Sequence, residues 1–432
     1  MRRSRLLTAL CAAGWLYAES PRVPDALVDA DLASLEALYI HLHRNPELSL
    51  EEKRTAERIA SELRAAGFEV TTGVGGHGVV GVMRNGRGPT VMVRTDMDAL
   101  PVTEKTGLPY ASTVRTRDAA GREVGVMHAC GHDMHMTVFV GTARLLARLK
   151  DRWRGTVLLV AQPAEELGSG AAAMLNDGLF TRFPRPDYAL ALHVDAALEA
   201  GKIGYREGFV FANVDSVDIT LYGVGGHGAY PHLTKDPIVL AAQVILALQT
   251  IVSREVRPLD PAVVTVGSIH GGTKHNIIPD QVDLQLTVRS FSEETRERIL
   301  SAIRRITVEM AQAAGVPPDR APITRITPDA YTPATYNDPA LVRRLVPVWK
   351  RELGDQNVVE RDPEMGGEDF SRYGRLEPKI PLVLFRLGVI DPPRMPLTKP
   401  SLHSPEFWPA RHPTIETGVK AMTAAVLELL SE

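Results

Sequence analysis

Short apolar runs that end in polar residues alternate with helical stretches along the first half of the chain. Four such runs are "GVVGVMRNG", "TVMVRTDMD", "GTVLLVAQPAEE" and "DYALALHVD". The pattern is helical from Leu32 to Leu63, with a turn at "RNPELSLEE", and again from Met136 to Leu149. Strands that alternate with helices predict a layered α/β fold with a mainly parallel sheet. In such sheets the residues that follow the strands come together at one end, where functional groups are usual.

A second unit begins near Asn213, where the pattern changes. Residues 213–327 contain strand-like runs and two helices in the order β-α-β-β-α-β, and Ser292 is the predicted N-cap of the second helix. This order is that of a ferredoxin-like domain. The sequence therefore predicts a larger α/β domain in two parts, 21–212 and 328–432, with an inserted α+β domain at 213–327. A length of 432 residues also favours more than one hydrophobic core.

The composition excludes some classes of partner. A net charge of −3 gives no electrostatic reason to expect nucleic acid or an anionic membrane surface. No apolar run in the sequence approaches the roughly 20 residues that span a bilayer. The cysteines are Cys11 and Cys130 only, so no disulfide framework is expected.

The N-terminal stretch "MRRSRLLTALCAAGWLYAES" has the form of a signal peptide. Arginines precede an apolar segment, and Ala18 stands before polar residues, although Leu16 is large for a cleavage motif. We predict a signal peptide at residues 1–20 and hence a periplasmic or secreted protein. The alternative is an amphipathic first helix in a cytoplasmic protein.

The stretch "MHACGHDMHM" places Cys130 and His132 two residues apart, with His128 and His135 beside them. Three interpretations are open: a metal-binding turn, a nucleophilic cysteine with a base, or a crowded helix start. A nucleophilic cysteine would need a base, an orienting partner and an oxyanion hole. That interpretation leaves the remaining donor residues of the chain unexplained.

Further donor residues follow strands or lie in loops: Glu165 and Glu166 in "QPAEE", His193 in "LHVD" and His403 in "SLHSPEF". Each alone has an ordinary explanation, as a helix-opening glutamate pair or a hydrogen-bonded structural histidine. Together with the cysteine they offer thiolate, imidazole and carboxylate ligands, too many for one tetrahedral site. Such a set suits two ions that share a bridging ligand, and zinc or another borderline ion rather than magnesium or calcium.

An ordered set of motifs resembles the M-twenty (aminoacylase/carboxypeptidase) metallopeptidase family. The motifs are "RTDMDALP", "MHACGHDMHM", "QPAEE", "LHV", "GGHGAYPH", "NIIPD" with "TVRSF", "GGEDFS" and "LHSPEF". The chain is most similar to the amidohydrolase branch, which includes hippurate hydrolases and indoleacetyl-amino-acid hydrolases. The resemblance runs from about Leu32 to the C-terminus and is specific as a set, although each motif alone is weak.

The resemblance implies a zinc-peptidase-like α/β/α catalytic domain with an inserted ferredoxin-like lid and dimerisation domain. It also implies two divalent ions, with zinc expected and manganese, cobalt or nickel as alternatives. The implied metal ligands are Cys130, His132, Glu166, His193 and His403. Cys130 is the expected bridging ligand, and Glu165 the expected general base. Asp98 is expected to orient a ligand histidine, while His128, His135 and Asp96 are not counted as ligands.

The resemblance assigns substrate recognition to the inserted domain. It implies that His227 stabilises the oxyanion across the interface of a homodimer, and that Asn276 and Arg289 hold a substrate carboxylate. Without the resemblance, Asn276 could be a turn former and Arg289 a solvated strand residue. The predicted function is hydrolysis of the amide bond of N-acyl amino acids, with no nucleic-acid or membrane partner. Alternatives are a carboxypeptidase or dipeptidase and, more remotely, a non-catalytic metal-loaded binding protein.

Overall fold

The structure, a computed structural model, describes residues 22–118, 120–327, 331–394 and 401–431. The signal peptide predicted at residues 1–20 lies outside the described residues. The helices are α1 Asp25–Arg44, α2 Lys53–Ala65, α3 His132–Arg148, α4 Gly170–Asn176, α5 Leu179–Arg182, α6 Pro237–Thr250, α7 Glu293–Ala313, α8 Pro339–Leu353 and α9 Arg411–Leu429. The strands are β1 Glu69–Val74, β2 Gly78–Asn85, β3 Thr90–Asp96, β4 Arg115–Arg117, β5 Glu123–Gly125, β6 Gly155–Gln162, β7 Tyr188–Glu199, β8 Ile203–Tyr205, β9 Gly208–Phe211, β10 Asn213–Tyr222, β11 Gly226–His227, β12 Ala262–His270, β13 Ile277–Ile278, β14 Gln281–Ser290, β15 Ile323–Ile326, β16 Thr335–Asn337, β17 Val358–Glu360 and β18 Leu382–Ile390.

The larger sheet has eight strands in the order β1-β2-β6-β3-β7-β18-β8-β17. Its centre is parallel, because β3 runs parallel to both β6 and β7, and β7 runs parallel to β18. The pairs β1–β2, β2–β6 and β8–β18 are antiparallel. The predicted α/β class is confirmed, but the sheet is mixed rather than mainly parallel. The short link between β1 and β2 is a physical reason, since it fits a hairpin and is too short for a parallel crossover.

Helices cover both faces of this sheet. On one face α1, α3, α8 and α9 pack together over a core that contains Val91, Val93 and Phe139. On the other face α4 and the turn Asp369–Arg375 pack over a core that contains Met92 and Leu158. Since β3 is buried on both faces, its sequence reads as a nearly continuous apolar run. Because β3, β6 and β7 run parallel, the polar residues that follow β3 and β6 come together at one end of the sheet with His193, which lies within β7 rather than at its end as the sequence predicted.

The second sheet is antiparallel, with four strands in the order β12-β14-β10-β15. Side chains alternate between buried and accessible along β10 and β14, as expected for a sheet with one covered face. Helices α6 and α7 bury that face, and Ser292 Oγ caps α7 by accepting from the Thr295 amide at 3.1 Å. The strand order and the two helices are those of a ferredoxin-like fold.

Helix α6 leaves part of its apolar surface exposed. Ile238, Val239 and Leu246 are all more than two-fifths accessible. Among the described residues, the helical segment Pro237–Glu255 has the length and apolar composition of a membrane span, and 33% of it is buried. The sequence predicts an amphipathic helix here rather than a membrane span, and Gln243 and Gln249 do interrupt its apolar run.

Candidate active site

Cys130 and His132 lie on the tight turn that begins α3. Gly131 between them has φ = 77°, and a Cβ atom there would lie 2.7 Å from Val194 Cγ2. A side chain at this position would therefore be strained and would collide with β7. The close approach brings Cys130 Sγ to 3.5 Å from His193 Nε2.

The five predicted ligands fall into two groups that share Cys130, and within each group the donor atoms lie within 4.8 Å of one another. The groups are Cys130 with His132 and His193, and Cys130 with Glu166 and His403. The two groups are in contact, because His132 Nε2 lies 3.9 Å from Glu166 Oε1. His403, on a loop near the C-terminus, completes the second group, with its Nε2 3.6 Å from Glu166 Oε1.

Buried atoms without partners show that this arrangement suits a cation. His132 Nε2 and Glu166 Oε1 are both buried, and neither has a hydrogen-bond partner among the described residues. Leaving such atoms unsatisfied is costly, unless a ligand satisfies them. The other side of the His132 ring is fixed, since Nδ1 donates to the Asp98 carbonyl at 2.8 Å and lies 3.3 Å from its carboxylate. Asp98 also accepts from Ser49 Oγ and from the Glu166 amide, and it therefore ties the two donor segments together.

His193 is held in the tautomer that a metal ligand needs. Its Nδ1 donates to the Val194 carbonyl at 2.8 Å, which leaves the lone pair of Nε2 directed towards Cys130. Burial lowers the pKa of His193 well below its usual value, and the nearby His135 lowers it further. The ring is therefore neutral at ordinary pH.

The pKa shifts of the other donors show that the site is buried and surrounded by carboxylates, which favours a bound cation. Burial, together with the nearby Glu166 and Glu165 carboxylates, raises the pKa of the Cys130 thiol well above its usual value. A thiolate at this position needs an adjacent positive charge, so an unassisted nucleophilic cysteine is disfavoured. Burial also raises the pKa of Glu166 to about 7. For His132, burial lowers the pKa, but Asp96 and Asp98 outweigh burial and raise it to about 10.

Glu165 lies beside the donors in a largely buried position. Its carboxylate belongs to one group with His132 and Glu166, and to another with Glu368 and Asp369. Burial raises the pKa of Glu165 well above its usual value, and the Glu368 carboxylate raises it further. A carboxylate with a raised pKa is a stronger proton acceptor, as general-base work at neutral pH requires.

Arg94 is the main functional neighbour that the sequence analysis missed. It lies in the middle of β3, is buried, and contacts three carboxylates: Asp96 at 2.7 Å, Glu368 at 3.1 Å and Asp369 at 3.1 Å. Gln162 accepts from Arg94 Nε at 3.0 Å. A signal was present, since an arginine inside an apolar run of a parallel strand must be buried and therefore needs anionic partners.

The histidines that were not counted as ligands lie close to the donors. His135 Nδ1 contacts Asp96 at 2.7 Å, and its Nε2 accepts from the Val194 amide at 2.9 Å, so both ring nitrogens are in use. Asp96 is occupied by His135 and Arg94. His128 is buried, and neither of its ring nitrogens has a partner among the described residues.

Among the described residues, those predicted to recognise substrate make no hydrogen bond or ion pair with the metal donors. His227, in β11, and Asn276, just before β13, are both exposed, and they lie close together because β11 pairs with β13 and the Asn276 carbonyl accepts from the Gly228 amide. Arg289, on β14, is half-buried and donates to the Met365 carbonyl at 2.8 Å. This contact joins the inserted domain to the segment that leads to Glu368 and Asp369. Within the described part of the chain Arg289 has no carboxylate partner, and burial lowers its pKa from the usual value.

Clustered thiol, imidazole and carboxylate donors beside a buried glutamate define a class of protein, the metal-dependent hydrolases. The family model described as Peptidase family M20/M25/M40 matches residues 92–428. The chain belongs to this family, and the predicted resemblance is confirmed. It is an enzyme that acts on amides.

Relatives in sequence and structure support this assignment. Thermostable carboxypeptidase 2 of Saccharolobus solfataricus is 37% identical over 351 residues, which cover 80% of this chain and 84% of that protein. The N-acetyl-L-cysteine deacetylase of Bacillus subtilis is 37% identical over 351 residues, covering 79% of each chain. The crystal structure of the Bacillus subtilis YxeP protein, described as a dinuclear metal-binding peptidase of the M20 family, has a TM-score of 0.74 and 30% identity, and it covers 93% of this chain and 99% of that one.

Proposed function

We propose that the enzyme hydrolyses the amide bond of N-acyl amino acids at a centre of two divalent ions, with zinc as the expected metal. The observation that carries the proposal is the pair of donor groups that share Cys130. Cys130, His132 and His193 would hold one ion, and Cys130, Glu166 and His403 the other. When bound, the ions would supply Lewis-acid activation of a water molecule and of the substrate carbonyl.

In this proposal Glu165 is the general base. Its buried carboxylate, with its raised pKa, accepts a proton from the attacking water and passes it to the leaving nitrogen. Asp98 fixes the Nδ1 side of the His132 ring, so that Nε2 would be free to bind an ion. The ion pairs of Arg94 with Glu368 and Asp369 fix the carboxylates that surround Glu165.

The substrate carboxylate is proposed to bind Arg289 and Asn276. The Arg289 guanidinium is half-buried, and its described partners are neutral oxygens of Met365 and Thr287. Its positive charge is therefore not neutralised by these partners, and its planar N–H groups suit two hydrogen bonds to one carboxylate. The similarity to an N-acetyl-L-cysteine deacetylase supports an amino acid as the leaving group.

The inserted domain is proposed to form a homodimer that completes the site. His227 and Asn276 are exposed, as expected for residues that act on the neighbouring subunit, where His227 would stabilise the oxyanion. The exposed apolar surface of α6 and the free edge of β12, which bears Ile269, are available for the contact. Leu246→Asp should yield monomers in light-scattering chromatography and lose activity. As a control, Leu50→Asp changes another well-exposed leucine, in the α/β domain, and should leave the dimer intact.

The test of the proposed function is a hydrolysis screen. N-acetyl and N-benzoyl amino acids should release free amino acid, a chelator should stop the release, and added Zn²⁺ or Mn²⁺ should restore it. Methyl esters of the same substrates should react far more slowly, because they lack the carboxylate. Equal rates for acids and esters would refute the role of Arg289 and Asn276.

A second candidate is a carboxypeptidase acting on short peptides, which the similarity to a thermostable carboxypeptidase supports. Both activities use the same metal donors and the same substrate carboxylate. They differ in the acyl group, which carries a charged α-amino group in a dipeptide and is uncharged in an N-acyl amino acid. Comparing Gly-Phe with N-acetyl-Phe at equal concentration decides between them.

A further inference from the structure

A buried histidine outside the proposed chemistry lies between two acids. His43, in the last turn of α1, is buried; its Nδ1 lies 2.7 Å from Asp133 Oδ2 and its Nε2 lies 3.1 Å from Glu104 Oε1. Since each ring nitrogen faces a carboxylate, both donate, and the ring carries a positive charge. All three side chains are almost completely inaccessible to solvent. We call this group the His43 clasp.

One acid of the clasp belongs to the metal-binding turn. Asp133 directly follows His132 in the first turn of α3. Its second oxygen accepts from the Met134 amide at 2.8 Å, and its carbonyl accepts from Thr137 Oγ1 at 2.7 Å. A rigid link from His43 to Asp133 therefore fixes the helix start that bears His132.

The other acid of the clasp reaches the loop of the fifth donor. Glu104 Oε2 accepts from the Ser112 amide at 2.6 Å, and the next residue, Lys105, donates its amide to the Pro405 carbonyl at 2.8 Å. Pro405 lies two residues after His403, whose φ is 67°. For a non-glycine residue this backbone conformation is unfavourable and must be held by its surroundings.

The two linked segments also meet directly. The His403 amide donates to the Ala129 carbonyl at 2.8 Å, next to Cys130. Within the clasp, His43 therefore links Asp133, at the start of α3, to Glu104, whose neighbour Lys105 holds the His403 loop. The clasp touches none of the donor atoms itself.

We propose that His43 is a positioning residue for the metal centre, which holds His132 and His403 at the separation needed to bind one pair of ions. The inference rests on the proposed function, because it assumes that both histidines are ligands. Supporting shells of this kind change metal affinity by roughly 10- to 100-fold when they are removed.

The experiment measures metal affinity separately from stability. Metal-stripped wild type, His43→Gln and Tyr39→Phe are titrated with Co²⁺ against a chelator competitor, and the cobalt–thiolate absorption is followed. His43→Gln can satisfy one acid but not both, so its apparent Kd should rise roughly 10- to 100-fold. Tyr39→Phe is the matched control, because it removes a buried hydroxyl 3.4 Å from His43 Nδ1 and leaves the clasp in place. Its Kd should stay within about twofold of wild type. Circular dichroism confirms that each variant is folded at the titration temperature.

If His43→Gln does not fold, Glu104→Gln replaces it, since it keeps an acceptor for His43 but removes the charge. An intermediate loss of Co²⁺ affinity is expected for that variant. Folded His43→Gln with wild-type Co²⁺ affinity and a wild-type absorption spectrum would overturn the inference and leave a purely structural role. That result would not affect the proposed function, which fails separately if wild type itself binds no metal ion.

Discussion

The first prediction concerns Arg94, the buried arginine of β3, and its contribution to the stability of the folded protein. Replacing Arg94 with methionine keeps the length and apolar stem of the side chain but removes its charge. Asp96, Glu368 and Asp369 would then share a buried space without the cation that contacts each of them within 3.1 Å. Because like charges in a dry site repel, we expect a large loss of stability.

The magnitude follows from the burial of these groups. Removing one partner of a buried ion pair costs about 3–5 kcal/mol, and here three carboxylates lose the same partner. The free energy of unfolding, measured with urea and circular dichroism, should fall by at least about 3 kcal/mol. The matched control is Arg84→Met on β2, in the same sheet. Its pair with Glu69 is exposed, so the change should cost less than about 1 kcal/mol.

The dependence on pH gives an independent check. In the variant, the uncompensated carboxylates have raised pKa values in the folded state, so lowering the pH protonates them and removes the repulsion. The difference in stability between Arg94→Met and wild type should therefore shrink between about pH 8 and about pH 5. A variant within about 1 kcal/mol of wild type at neutral pH, or a difference that grows on acidification, would refute the reasoning.

Three further predictions concern the site and its supports. Glu165→Gln should lower kcat by about 10²- to 10⁴-fold with unchanged metal content by mass spectrometry, and near-normal turnover would contradict its role as base. Arg289→Lys should raise KM for N-acyl amino acids because it loses the guanidinium fork; if KM is unchanged, the carboxylate binds elsewhere. For His43, burial lowers the pKa, but its bonds to Asp133 and Glu104 outweigh burial and raise it from 6.5 to about 9. A raised pKa means that the stabilisation is complete below about pH 6.5 and is lost as the pH rises through about 9. Urea unfolding should show wild type losing up to about 3 kcal/mol relative to His43→Gln over that range, and parallel pH profiles would refute the charged clasp.

The α/β class and the inserted β-α-β-β-α-β order could be predicted from sequence because hydrophobic periodicity reports them directly. The runs that became β3, β6 and β7 are apolar because both faces of the sheet are covered. The antiparallel edge was not predictable in the same way, since strand direction depends on connections rather than on side-chain pattern.

The candidate metal donors stood out in the sequence because cysteine, histidine and paired glutamates at strand ends are conspicuous residue types. Arg94 and His43 did not, because a buried charge is recognised by its partners, and apart from Asp96, which is two residues from Arg94, those partners are distant in sequence. Arg94 meets Glu368 and Asp369 across more than 270 positions. The apolar run around Arg94 predicts that the arginine is buried and needs anionic partners, but it does not predict which carboxylates supply them.

The central claim is that the clustered donors form a metal centre that drives amide hydrolysis. The most direct measurement is a titration of chelator-stripped enzyme with Zn²⁺, in which bound metal and the hydrolysis of an N-acyl amino acid are followed together. The account predicts an inactive stripped enzyme whose rate rises to a plateau at two ions per chain. A stripped enzyme that keeps its full rate, or a plateau reached without bound metal, would contradict it.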